Sequence, residues 1–402
     1  ADIGAKVNEC DKRLGAGAGT INLSGGGEIT QQIVISPNHT LYISGEGEYR
    51  AKTSGPVILL DDDASLQCES WKPVLLESTF ERDRRDRNTW STVFIIATTK
   101  KGKTKEFPNG SPTRNIKIRG CHFRGARPDF NSISATVSVA NADGGEISNN
   151  WLEGTRSIGI QAGGGSNQGA YARNVLISDN LLTRVSSQNI AVTNADGVKV
   201  LRNKMQAPGQ PGSPSIAVID VEPNFRDRAT NVEIAFNTID ASENEHFRVT
   251  HGIVVQNGIK ATPFGNINVH DNTIIGADHA ERRNHIAVAG VLVRHATGVT
   301  IVNNTLHRVS RGIMLDRGSE NNTFEGNKLY DCGSGSTDPI MVLNSSRNRF
   351  VRNVLGTQPG DAFRFPQRTY GRIREYGDSD YNTFEKNVGD VTLIGPNSKV
   401  IP

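Results

Sequence analysis

The stretch from His246 to Arg317 concentrates side chains able to do acid–base chemistry. It holds seven of the nine histidines, with Arg248, Arg282, Arg283, Arg294 and Arg317 among them. Imidazole titrates near neutral pH, whereas a guanidinium stays charged throughout. Side by side they supply a proton acceptor and a fixed cation, which is what removing a proton next to a carboxylate requires. On this pattern His251 and His285 are candidate bases, and Arg248, Arg294 and Arg317 candidate neutralising cations. Upstream, Asp220 and Glu222 stand two residues apart in SIAVIDVEPNF. On one strand edge their Cα atoms would lie about 6–7 Å apart. Such a pair could act as acid and base, or hold a Ca2+ ion with a neighbouring carbonyl. Asp316 closes the GIMLD segment as Arg294 closes GVLVR, so a salt bridge between them or a catalytic carboxylate at Asp316 would fit. His279, His285 and His295 lack the tight spacing of a transition-metal site.

These groups need a scaffold, and Gly290 to Gly318 displays its unit. Apolar and polar residues alternate through Val291–Val293 and Val299–Ile301, the period of a half-buried strand, and then the paired Asn303-Asn304 interrupts the chain. The unit recurs, with Asn at 150, 180, 203, 237, 272, 304, 327, 353 and 387. The intervals run from 23 to 35 residues, as expected of coils whose loops differ in length. Stacked asparagines can share amide hydrogen bonds at the strand spacing of about 4.8 Å, and Asn tolerates left-handed turns. A second strand precedes each unit: SIGIQA, NIAVTN, SIAVID, GIVVQN, GVLVRH, GIMLDR, PIMVLN and AFRFPQ. With a short apolar pair after each Asn, this makes three strands per coil and no helical crossover.

The expected architecture is all-β: a right-handed parallel β-helix of about ten or more coils, with three parallel sheets and an Asn ladder. It fills 1–402 as one domain. Residues 1–30 form an N-terminal cap with a helix near Val7–Leu14, covering the first hydrophobic layer. Residues 31–110 are irregular early coils with charged insertions at Glu81–Asn88 and Lys100–Gly110, 111–390 are regular coils, and 391–402 are a tail. The glycine-rich runs near the start lack the Lys-Ser/Thr of a phosphate loop, and Asp61, Asp62 and Asp63 could recruit a hard cation or simply end a strand.

Aligning the strands that precede the Asn units places Ile158, Ile190, Ile216, Ile253, Val291, Ile313 and Ile340 inward. Gln161, Thr193, Gln256, Arg294 and Asp316 then face outward, followed by Asn257, His295 and Arg317. A polar row of this kind could floor a sugar-binding groove. Long loops at Ile239–Thr250 and Gly276–Ala289 enter the same side and bring Arg248, Arg282 and His285.

The bulk properties narrow the field. A net charge of +3, from 45 basic and 42 acidic residues, does not imply nucleic acid. No apolar run reaches the roughly 20 residues of a membrane span. The abrupt start at Ala1 suits a mature secreted or periplasmic chain. Cys10, Cys68, Cys121 and Cys332 are too scattered for a zinc site. A Cys10–Cys68 bridge is one expectation; buried free thiols are the preferred one.

The Asn units and the GIxh strands, across about residues 111–390, resemble the right-handed β-helix repeat proteins of the pectate-lyase-like superfamily. The resemblance implies the fold, an extracytoplasmic location, and a carbohydrate-active role on a polysaccharide or oligosaccharide. It also implies a groove over the outward face of one sheet, beside the longest loops. Three functions follow as expectations. The first is a lyase on an acidic uronate polymer, with Arg294, Arg317 or Arg248 neutralising and His251, His285 or an arginine abstracting. Gln161, Arg248, Gln256, Asn257, Arg282, His295 and Arg317 would bind the chain. The second is a glycoside hydrolase using Asp220 and Glu222, and the third a non-enzymatic glycan-binding or structural module.

Overall fold

The computed structural model describes residues 2–53, 56–76, 95–96, 111–125, 135–155, 158–164, 171–209, 215–224, 227–243, 249–257, 263–276, 289–333, 338–357 and 371–402. Among them the strands form three sheets of 15, 12 and 13 strands, every pairing parallel. The chain visits the sheets in turn, so neighbours within a sheet come from successive coils. This is the right-handed parallel β-helix expected from the sequence. Strands from Gly19 onward already belong to the same three sheets, and Lys399–Ile401 still pairs with Thr383–Glu385.

Alternation drives the winding. In the first sheet Ile147, Ile177, Val200, Ile234, Val269 and Ile301 point inward from successive coils, each fully buried. In the second, Phe123, Leu152, Leu182, Met205, Ile239 and Ile274 do the same. The result is a single continuous apolar column. Toward the C-terminus it holds Phe324, Phe350 and Phe384, stacked at 4.7 and 4.9 Å. Stacked rings add about 0.5–1.5 kcal/mol per pair beyond their burial.

The nine asparagines form the expected ladder. Each Nδ2 donates to the Oδ1 of the next, from Asn150 to Asn180 at 3.0 Å through to Asn353 and Asn387 at 2.9 Å. The same Oδ1 also accepts a backbone N–H, as Asn180 does from Asn150, so buried turns that would strand polar groups are satisfied coil by coil. The preceding residue holds the left-handed turn: Asn149, Asp179, Arg202, Phe236, Asp271 and Asn303 all have φ between 53° and 58°. A second ladder, absent from the sequence reading, joins Asn322, Asn348 and Asn382. It ends on Glu375, a fully buried carboxylate that accepts from Asn382, Ser398, Ile394 and Gly395.

Two local expectations are corrected. The cap helix α1 runs over Ile3–Leu14 and does not begin at Val7. Asp2 starts it, accepting from the Ala5 N–H and from Thr30, so capping and docking share one carboxylate. The disulfide joins Cys68 to Cys121, while Cys10 is exposed and Cys332 buried as free thiols. Cys121 occupies the turn position that Asn150 fills one coil later, and its N–H donates to Asn150 Oδ1. A covalent link thus stands where the ladder would otherwise begin. The aspartates at 61–63 organise turns, with Asp62 accepting from the Arg114 N–H and Asp63 from Asn115.

Candidate functional site

Parallel register decides what the outward face of the third sheet presents. Its inward column reads Ile160, Ile190, Ile219, Ile253, Val291, Ile313, Ile340 and Ile373. Ile160 and Ile219 therefore stand where the sequence alignment placed Ile158 and Ile216. The shift turns Ile219 inward and Asp220 outward; Val218 is in the core as well, so the alternation breaks between Val218 and Ile219 while the pairing with Val249–Val255 keeps a constant offset.

The outward central column is Gln161, Ala191, Asp220, Val254, Leu292, Met314, Met341 and Arg374. Its middle is apolar, with Val254 and Leu292 buried and packed with Ala217 and Ala289. The expected polar floor is thus corrected to an apolar strip with a polar edge. Gln256, Arg294 and Asp316 make that edge, in register on adjacent coils. Gln161 lies in the central column instead, donating to Thr193 at 3.4 Å.

Two acid–base groups occupy this face. Asp220 is 2% exposed, and Gln188 Nε2 donates to its Oδ2 at 3.3 Å. Its Oδ1 is buried without a donor among the described residues, and the Glu222 carboxylate interacts with the same side chain. Burial, and then the neighbouring negative charge of Glu222, push the carboxyl up to about 8, so it keeps its proton at neutral pH. Calcium takes 6–8 oxygen ligands, and Asp220 with Glu222 supplies two carboxylates of such a set. Among the described residues no group of three or more His, Cys, Asp or Glu could hold a metal.

His251 lies opposite Ala217 and Ala289, 8% exposed. Its Nδ1 is buried without a partner among the described residues. Burial, and then the charges of Arg294 and Arg311, push the imidazole down to about 4. It is therefore neutral at ordinary pH, a base with an unused nitrogen. Arg311 sits two coils beyond His251, its backbone carbonyl accepting from the Gly290 N–H, and its Nε is buried and unpartnered among the described residues. The sequence reading missed Arg311; its place just before GIML, as His251 stands just before GIVV, was the available signal.

Arg294 reaches across one coil to Asp316, Nε to Oδ2 at 3.2 Å, and Arg317 approaches the same oxygen at 3.6 Å. Asp316 is 5% exposed, so this is a sheltered pair. His295 and Arg317 hold left-handed turns after their strands, and Asn257 N–H donates to the Arg294 carbonyl. The structure thus brings His251, Arg294 and Arg311 together, with Asp316 bound to Arg294. Arg248, Arg282, Arg283, His246, His279 and His285 lie outside the described residues.

The histidine cluster of the sequence is not one cluster in space. His270 is on the first sheet, bonded to Glu233 and Asp271, and His307 on the second, bonded to Asp331. A shallow cleft of about 530 Å³ also lies on the first sheet, lined in part by Lys199, Glu233, Asn268 and His270. Lys199 and His270 both pair with Glu233, and neither His251 nor Asp220 lines this cleft.

Residues 218–358 match the family described as periplasmic copper-binding protein (NosD). No curated protein sequence matches the chain. The catalytic unit of a thermostable GH87 alpha-1,3-glucanase from Streptomyces thermodiastaticus strain HF3-3 aligns with a TM-score of 0.60 and 14% identity, covering 99% of this chain and 67% of that one. PfbA, a surface adhesin of Streptococcus pneumoniae, aligns at 0.55 and 14%, covering 96% and 81%. The A-module of the Azotobacter vinelandii mannuronan C-5 epimerase AlgE6 aligns at 0.49 and 14%, covering 100% and 94%. The likeness is one of fold. Among the described residues of the span matched to the copper-binding family, three histidines stand apart, His251 on the third sheet beside two guanidinium charges, His270 on the first sheet and His307 on the second.

Proposed function

We propose that this chain is a carbohydrate-active enzyme that cleaves an acidic, uronate-containing polysaccharide by β-elimination. The observation that carries the reading is His251: a neutral imidazole with an unused nitrogen, held beside Arg294 and Arg311. Arg311 and Arg294 pair with the uronate carboxylate and stabilise the charge that develops as the adjacent C5 proton leaves. His251 takes that proton. The C4–O4 bond breaks, a C4–C5 double bond forms, and the leaving oxygen receives the proton that Asp220 holds. Asp220 and His251 come from adjacent coils, three residues apart in register, which is about 11 Å between Cα atoms and leaves room for a sugar ring.

A base near 4 is weak for this task, but the substrate itself corrects part of this. Its carboxylate offsets the two guanidinium charges and removes that part of the depression, while the larger part, due to burial, stays. The Cys68–Cys121 disulfide and the periplasmic description of the matched family support an extracytoplasmic compartment.

Hydrolysis is a second reading, favoured by the proton that Asp220 retains. It needs a second carboxylate about 5 Å or more away. Glu222 interacts directly with the Asp220 side chain, so its closeness weighs against this pair.

The deciding experiment incubates the protein with a panel of acidic and neutral polysaccharides. Elimination is read by the ultraviolet absorbance of the unsaturated uronate, and hydrolysis by reducing ends without it. Loss of turnover in His251→Ala and Arg311→Ala at unchanged Tm is expected. Full activity in both variants would overturn the site assignment, and binding without turnover on any polymer would move the reading to a glycan-binding module.

A further inference from the structure

A second charged cluster lies on the same outward face, farther along the helix. Asp338 is 2% exposed and serves two guanidiniums at once: Arg372 Nε reaches its Oδ1 at 3.0 Å and Arg374 Nε its Oδ2 at 3.4 Å. Tyr376 donates its hydroxyl to Oδ2 at 2.6 Å, and Arg374 lies 5.6 Å from the Tyr376 ring centre. One buried carboxylate thus forms ion pairs with two arginines, and Arg374 is held further by Nη1, which donates to the Tyr376 hydroxyl at 3.3 Å. About a third of each arginine side chain stays exposed, and the cluster keeps one unit of positive charge. A carboxylate buried only to close the sheet would need one cation, not two.

Register gives its distance from the base. His251 pairs with Ala289, Val291 with Ile313 and Ile313 with Ile340. Counting back two residues from the last two pairs, His251, Ala289, Arg311 and Asp338 fall in one column. Asp338 is therefore three rungs beyond His251, about 14 Å along the helix axis. The repeat of a pyranose polymer is close to one rung, so a chain laid along this face advances about one sugar per coil.

We infer that Arg372 and Arg374, which reach back from the next coil to Asp338, form a carboxylate-binding subsite about three to four sugar units from the sugar that reacts at His251. The inference rests on the acidic-polymer reading above and adds a length requirement to it. The subsite takes an anionic sugar, because two preorganised guanidiniums beside an already satisfied carboxylate present donors to an incoming acid group. Arg311, between the two positions, continues the positive strip.

The test uses the full chain and oligouronates of increasing length, measuring Kd and KM. In the unaltered protein, affinity should step up about tenfold once the oligomer spans from His251 to Asp338, and the step should shrink with added salt. Arg372→Ala with Arg374→Ala should remove the step, whereas Arg352→Ala, an exposed cation on the first sheet paired with Glu325, should keep it. Should the double variant fail to fold, Arg374→Gln alone and Asp338→Asn are each expected to reduce the step. A full step in folded Arg372/Arg374 variants overturns the subsite while leaving the His251 assignment standing. A step that survives while His251→Ala turns over normally overturns the assignment of the base and leaves the anion subsite standing. Absence of oligouronate binding by the unaltered protein overturns both.

Discussion

Arg294 is bonded to Asp316 across one coil at 3.2 Å, yet its charge still depresses the imidazole of His251. Replacing Arg294 with Gln should therefore raise His251 from about 4 toward its ordinary value, by on the order of one unit. The imidazole resonances followed by NMR titration would report it. An unmoved titration would mean that burial alone sets the shift.

The same depression fixes a pH dependence of stability. The folded value lies below the unfolded one, so the unfolded chain binds the extra proton between them. The contribution of His251 is complete above about 6.5 and is lost as pH falls through about 4. His251→Gln should flatten the fall in Tm across that window, by on the order of a few degrees. Scanning calorimetry from pH 7 down to about pH 4 would check this.

Asp220 has the opposite sign. Its folded value is raised to about 8, so its contribution is complete below the unfolded value near 4 and is lost as pH rises through 8. Asp220→Asn copies the protonated form. The variant should be more stable than the unaltered protein above about pH 8, by a few degrees in Tm, and inactive if Asp220 is the proton donor. Equal Tm values in alkaline buffer would exclude a buried proton at this position.

The Asn ladder should fail at single positions. Asn237 Nδ2 donates to the Val200 carbonyl and to Asn272, and its Oδ1 accepts from the Asn203 backbone and side chain. Asn237→Ala strands several of these buried groups at once, each costing about 1–3 kcal/mol. A loss of about 3–5 kcal/mol in urea unfolding is expected, far above the effect of a half-buried asparagine outside the ladders such as Asn268.

The disulfide should be worth about 4 kcal/mol by chain entropy, since it closes a loop of 53 residues. Replacing both Cys68 and Cys121 by Ala should lower stability by about that amount. Thiol labelling gives an independent check. In the native oxidised protein Cys10 should react at once, Cys332 only after unfolding, and Cys68 and Cys121 only after reduction.

Much of the scaffold was legible because its signals are local. Alternation of period two marks a strand without knowledge of its partner, and an Asn at each turn reports the need to satisfy buried amides from one coil to the next. The second ladder was equally local in form, since Asn322, Asn348 and Asn382 each stand five residues before a member of the first. Its short run of three hid it among ordinary turn asparagines. Asp220, Glu222, His251, Arg294 and Asp316 were singled out by type and neighbourhood, which a sequence also displays.

Which of these groups meet was decided in three dimensions. Coils of 23 to 35 residues leave register free by several positions, and backbone pairing between coils fixes it. A three-residue difference turns Asp220 from the core side to the outer face and aligns Ile219 with Ile190. The same stacking puts Arg311 beside His251 and carries His270 and His307 away to other sheets. Cys68 meets Cys121 because successive coils bring their turns to 4.8 Å between Cα atoms, although 53 residues separate them. Local patterning specifies a three-stranded coil, its Asn turns and a store of acid–base side chains. Which of those side chains share a face follows from the stacking of coils, because parallel pairing across loops of unequal length is a long-range choice that no local pattern encodes.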